Sequence, residues 1–148
     1  MTAPQLVDSH CHLDFPKLAD ELPEVIERAR RAGVTRMVTI CTRLRSESAV
    51  RTIAERHEGV FYACGTHPMN VAKEPIATVD ALVRIARQPL MVGIGETGLD
   101  YHYTSESKAE QQQSLRIHIE AARQTGLPLI IHARDADADM ARILAEEH

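Results

Sequence analysis

Apolar residues in this chain gather in five short, nearly unbroken runs, and between the runs they recur every three or four positions. The runs cover residues 6–13, 34–42, 60–65, 90–96 and 127–132. They predict strands covered on both faces, because a half-exposed strand would alternate apolar with polar. The stretches 23–32, 46–58, 78–87, 107–124 and 137–147 carry helical spacing, as in Ala49, Val50, Ile53 and Ala54. Gly33, Gly59 and Gly126 follow three of them as stop signals. Repeated strand-then-helix units with short connections predict a parallel α/β sheet, either doubly wound or closed as a barrel. No Gly-x-Gly-x-x-Gly opens the first helix, which argues against a dinucleotide fold.

The polar residues that interrupt this pattern collect at one end of the strands. His10 and His12 end the first run, His67 follows the third, Glu96 ends the fourth and His132 ends the fifth. Strand side chains alternate faces, so Asp8, His10 and His12 share a side. Two imidazoles so placed can grip one divalent cation, and a carboxylate beneath them can orient a ring through its other nitrogen. Counting back by twos from Glu96 reaches Ile94 and Val92, and from His132 reaches Ile130. Each polar group is therefore expected to continue an inward-facing apolar row above a packed core. The C-terminal strand ends are the ligand side of a barrel and of an open sheet alike.

Composition narrows the class. With 148 residues, 44% hydrophobic and 26% charged, the chain can build one globular domain with a real core. Only 3% of residues are aromatic, so that core must be aliphatic. A net charge of −4 carries no basic footprint for holding nucleic acid by counterion release, so a phosphate substrate needs a local site. Cys11, Cys41 and Cys64 lack Cys-x-x-Cys spacing and read as reduced, semi-buried thiols of a cytoplasmic protein. Cys11, lying between two candidate ligands, is expected to point away from them. No signal peptide or long apolar span stands out, and residues 1–5 lead straight into the first strand.

Four segments then carry a specific signature: Asp8-Ser9-His10-Cys11-His12-Leu13, Gly65-Thr66-His67-Pro68, residues 93–101 (GIGETGLDY), and Ile130-Ile131-His132-Ala133-Arg134. In these the chain resembles the TatD family of metal-dependent deoxyribonucleases, within the amidohydrolase-like metallohydrolases. The resemblance runs from near the N-terminus to the last residue. It implies a TIM-type (β/α)8 barrel with two or so divalent ions, His10 and His12 holding one, Glu96 bridging, and His132 a ligand of the second. A TIM barrel takes about 250 residues, so residues 1–148 are expected to form a single barrel domain incomplete at its C-terminal side. They supply about five strand-helix units. The family pattern places a further ligand His and a catalytic Asp beyond them. A second chain supplying the rest is one way to complete it, and a truncated gene product or a fragment are others.

The expected chemistry is metal-assisted hydrolysis. Two cations bridged by a carboxylate lower the pKa of a water and draw charge from a phosphoryl oxygen, and the two oxygens of Glu96 suit that bridge. Imidazoles with carboxylates favour zinc, manganese or another first-row ion, with magnesium able to support turnover. His67 is read as a substrate contact that donates to phosphate, or as the cap of the turn Pro68 begins. Arg134 is read as a second phosphate contact, or as the ion-pair partner of Asp135 or Asp137. Asp100, Gly95 and Gly98 are expected to shape the loop after Glu96, with His102 solvated in it. His57, His118 and His148 are expected on helix surfaces, and Arg28, Arg30 and Arg31 on a solvated helix face. The leading function is phosphodiester hydrolysis, an exo-acting DNase on single-stranded DNA with no membrane partner. Hydrolysis of an ester or amide, including aminoacyl-tRNA deacylation, uses the same architecture. A half-barrel that only binds metal or a partner chain is the reading of another class.

Overall fold

A computed structural model describes residues 5–147. The readings of His148 and of residues 1–4 fall outside the described residues. Five strands, β1 (Leu6–Cys11), β2 (Val34–Cys41), β3 (Val60–Cys64), β4 (Met91–Asp100) and β5 (Leu129–Arg134), alternate with the helices α2 (Leu22–Arg31), α3 (Glu47–Arg56), α4 (Val79–Ala86) and α5 (Lys108–Thr125). A short helix α1 (Pro16–Ala19) precedes α2, and α6 (Asp137–Glu146) follows β5. The strands pair in parallel in the order β1-β2-β3-β4-β5. A doubly wound sheet reverses its strand order at a switch point. Here each strand is laid beside its predecessor, so right-handed crossovers put every helix on one face, as in a barrel wall.

The helix-facing side is an apolar layer, aliphatic as expected except for the fully buried Tyr62. Met37 and Cys41 of β2, Val60, Tyr62 and Cys64 of β3, and Ile94 of β4 pack with Ile26, Val50, Ala54 and Leu82 of the helices. A second cluster, Leu99 with Leu115, Met140 and Ile143, lies beneath α5 and α6. Each fully buried Val, Leu, Ile or Met among them contributes roughly 1.5–3 kcal/mol. The opposite face is also closed in the middle of the sheet, where Ile40 and Ala63 are fully buried. At the sheet's edges burial fails: Leu6 is 50% exposed, Val7 59% and Ile131 40%. Both β1 and β5 are edges, each paired on one side only. Among the described residues no helix is long and apolar enough to cross a membrane.

Two departures from the expected pattern concern β4. It runs four residues past Glu96, because Thr97–Asp100 pair in register with residues 131–134 of β5. Ile94 does not continue the row of Glu96. It lies beside Cys64 in register and joins the helix-facing layer. The ladder shifts register between Ile94 and Thr97, and this extra residue returns Glu96 to the other face. The row through Ile130 stands as expected, since the inner side of Gly93 meets Ile130 and Ala63. Gly98, at φ +143°, is needed for a close approach as well as for its backbone angle: a Cβ there would lie 1.9 Å from the His132 carbonyl oxygen.

Candidate metal centre

Glu96, 7% exposed, sits among four histidines and divides its two oxygens between them. Oε2 lies 3.3 Å from His10 Nε2 and 3.9 Å from His12 Nε2. Oε1 lies 3.4 Å from His132 Nδ1 and 3.9 Å from His67 Nε2. The strand ends thus form two groups that could each hold an ion, His10–His12–Glu96 and His67–Glu96–His132, sharing one carboxylate.

The rings are oriented from behind. His12 Nδ1 meets the Ile40 carbonyl at 3.1 Å, so it carries the proton and leaves the Nε2 lone pair facing Glu96. On its other side the ring stacks on Phe15 at 4.5 Å. His132 Nε2 lies 2.9 Å from Asp100 Oδ2, which assigns the proton to Nε2 and turns the Nδ1 lone pair inward. His67 accepts the Met69 N–H at Nδ1 (3.2 Å), capping the turn Pro68–Lys73. In a neutral ring its proton then sits on Nε2, 3.2 Å from His132 Nδ1. His67 is therefore a donor into the cluster, whereas His12, His132 and Glu96 converge as acceptors. Converging lone pairs and a carboxylate are the donor set a divalent cation requires, and the residues fit one.

The same groups hold a proton when no cation occupies the cluster. Without a cation, the Glu96 carboxyl is held below the usual range: burial works to raise it, but a hydrogen bond from the doubly protonated His132 ring, which then carries a proton at Nδ1 as well, and the fields of His67 and His10 outweigh burial. His132 is raised, first by its hydrogen bond to Glu96 and, against burial, by Asp100. Burial pushes His67 down to about 4 and keeps it neutral.

Several expected residues take other places. Asp8 orients no ring and instead accepts the His10 N–H at 3.1 Å, because β1 ends as an exposed edge where that amide needs a partner. Arg134 lies over the Tyr103 ring at 4.7 Å and forms no ion pair with Asp135 or Asp137. His102 does face solvent, paired with Asp135 at 2.9 Å. Cys11 turns from the cluster to the Val38 carbonyl and the helix layer. His57 is half-buried just beyond the end of α3. His118 is no surface residue: it is fully buried, its Nδ1 on the Ser114 carbonyl at 2.7 Å and its Nε2 accepting the Thr66 N–H at 3.0 Å. Burial pushes it down to about 4.

His118 and Gln111 are the support that sequence reasoning missed. Gln111 Oε1 accepts the Asp100 N–H at 2.7 Å, and its amide nitrogen donates to the Asp100 and Thr104 carbonyls at 3.2 and 2.7 Å. Their shared signal is position. Gln111, Ser114, Leu115 and His118 fall on one helical stripe of α5, and polar residues on a core-facing stripe are there to bond something buried.

Beside the cluster opens a cavity of 520 Å³. His12, His67 and Glu96 form part of its wall, and Phe15, Arg43 and Asn70 another part.

Comparison with known proteins places this geometry. The family model described as TatD related DNase matches residues 7–148. The uncharacterized metal-dependent hydrolase YcfH of Escherichia coli K12 is 39% identical over 145 residues, 96% of this chain and 54% of that protein. The 3'-5' ssDNA/RNA exonuclease TatD of Citrobacter koseri is 30% identical over 139 residues, covering 94% of this chain and 54% of its own. The crystal structure of the TatD homologue YjjV from Escherichia coli K12 superposes with a TM-score of 0.88 at 28% identity, over 95% of this chain and 55% of that one. The chain thus spans about half the length of the relatives it matches, and its five strands correspond to part of a TIM-type barrel. Signature segments, strand order and the clustered strand-end histidines all agree with the matched model: the chain belongs to the TatD family of metal-dependent hydrolases.

Proposed function

We propose that this chain carries the metal-binding half of a phosphodiesterase that removes nucleotides from an end of single-stranded DNA. The observation that carries the reading is the division of Glu96, one oxygen toward His10 and His12 and the other toward His132. On this reading His10, His12 and Glu96 hold one divalent ion, and Glu96 and His132 a second. Zinc, manganese or magnesium bound there would acidify a water and draw charge from a phosphoryl oxygen. The remaining work falls to the chain. Asp100 and the Ile40 carbonyl keep the His132 and His12 rings turned inward. His67 presents an Nε2 proton to a phosphate oxygen, since Met69 occupies its other nitrogen. Arg134, exposed on Tyr103 two residues past His132, supplies a second contact for phosphate, a cationic one. The relative from Citrobacter koseri, named as a 3'-5' ssDNA/RNA exonuclease, supports nucleic acid as substrate.

The free edges of β1 and β5 favour a companion statement. Further polypeptide, in the same chain or a second one, closes the sheet and brings the general base. The three free thiols suit a reducing, cytoplasmic setting.

The test is release of nucleotides from a single-stranded oligonucleotide by the complete protein with each of the three metals. Stepwise release that disappears in Glu96→Gln is the expected result. No release with any metal, or rates in Glu96→Gln equal to the native protein, would overturn the reading.

A further inference from the structure

The cavity beside Glu96 is lined by one guanidinium, Arg43, that takes no part in the metal cluster. Arg43 and Arg45 share one carboxylate: Glu74 Oε1 lies 2.9 Å from Arg45 NH2 and 3.8 Å from Arg43 Nε. The Glu74 side chain is 6% exposed, so this carboxylate is committed in place. Two guanidinium charges against one carboxylate leave one positive charge uncompensated, and Arg43, its side chain 41% exposed, is the partner at the longer distance.

Arg43 is also held in position. Its NH2 donates to Asn70 Oδ1 at 3.2 Å, while the Asn70 Nδ2 donates to the Thr42 carbonyl at 3.2 Å. The amide is thus oriented from the backbone, with its oxygen toward the guanidinium. A guanidinium fixed by one N–H keeps others free for a bidentate anion. Phe15, which lines the same cavity and is 46% exposed, stacks one face on His12 with the rings 18° from parallel. A part-exposed aromatic ring and a fixed cation lining one cavity are the two elements by which single-stranded nucleic acid is held without regard to sequence, base on ring and phosphate on Arg. The cavity's own carboxylates are Glu96, turned to the histidines, and Asp14, whose Oδ1 is sealed from solvent.

From this we infer that Arg43 and Phe15 form a subsite for the nucleotide next to the one being cleaved, Arg43 binding its phosphate and Phe15 stacking its base. The inference rests on the phosphodiesterase reading and adds to it which side of the cluster the strand occupies. It also gives an otherwise acidic chain a local anchor for a polyanion.

The probe is a fluorescent five-nucleotide oligothymidylate with phosphorothioate linkages, titrated into the complete protein with manganese over a range of salt. Arg43→Gln is expected to weaken binding about tenfold and to reduce the slope of log affinity against log salt by about 0.7, one phosphate contact on a single strand. Arg43→Lys keeps the charge and restores the slope, and Phe15→Leu weakens binding with the slope unchanged. Equal affinity and slope in Arg43→Gln and the native protein would overturn the subsite, as would no measurable binding by the native protein. Hydrolysis of bis(4-nitrophenyl) phosphate by the native protein tests the underlying reading separately, since that small diester has no neighbouring nucleotide. Its failure with every divalent metal would remove the phosphodiesterase, whatever the binding data say.

Discussion

His132 Nε2 and Asp100 Oδ2 lie 2.9 Å apart, and the carboxylate in that pair has no solvent exposure at all. Asp100 is held below the usual carboxylate range. Burial opposes this, but hydrogen bonds from the Tyr103 backbone and from His132 outweigh it. An anion so fixed determines which nitrogen of His132 carries the proton, and leaves Nδ1 to face Glu96. Asp100→Asn keeps the shape and loses that preference. We expect cation affinity to fall about 10–100-fold, the usual effect of losing a partner behind a ligand. Calorimetric titration with zinc or manganese measures it, and unchanged affinity would show that His132 is not oriented through Asp100.

Glu96 makes a sharper prediction. If one carboxylate serves two ions, Glu96→Gln removes an anionic oxygen from both groups at once. Elemental analysis after dialysis should then find the second ion lost and the first weakened, while circular dichroism stays native. His10→Ala should affect only one ion. Equal loss in the two variants would argue against a shared carboxylate.

His118 links stability to pH. Its folded pKa is about 4, whereas an unfolded chain titrates near 6.5. Between those values the unfolded state binds the extra proton, so stability rises with pH there. The contribution is complete above about pH 6.5 and is lost as pH falls toward 4, about 3 kcal/mol in all. Urea unfolding at pH 4.5, 5.5 and 7 should show a smaller loss in His118→Gln than in the native protein. Parallel losses would place the acid sensitivity elsewhere.

Gly98→Ala tests the approach of β4 to β5. The added carbon would meet the His132 carbonyl, at a backbone angle that only glycine adopts freely. We expect about 3 kcal/mol of destabilisation with loss of cation binding, since the strand that must yield carries His132. Gly126→Ala is the control. It shares a positive φ of +70° but meets nothing within 4 Å, so its smaller cost is conformational alone and leaves the metal site intact.

The alternation of strands and helices, and the collection of His10, His12, His67, Glu96 and His132 at one end, were legible along the chain. Strand runs and helical stripes are local periodicities, and parallel connectivity forces every strand's C-terminal end to the same rim. The limits of counting by twos show at Ile94. A single extra residue between Ile94 and Thr97 changes which face a side chain takes, and nothing local marks it except glycines that also read as a turn. His118 shows the same limit for roles: expected at the surface, it lies in the core.

By itself, then, the sequence determined the fold class, the direction of the sheet and which histidines and carboxylate gather at the strands' C-terminal rim. Only the tertiary structure decided how Glu96 divides its oxygens, which nitrogen each ring turns inward, and that Arg43 and Phe15 share a cavity with the cluster. The physical reason is range. Periodicity and strand polarity are set by neighbours a few residues apart, whereas tautomers, ion-pair sharing and cavity walls arise between groups such as His12 and Ile40, 28 residues apart, or His132 and Asp100, 32 apart.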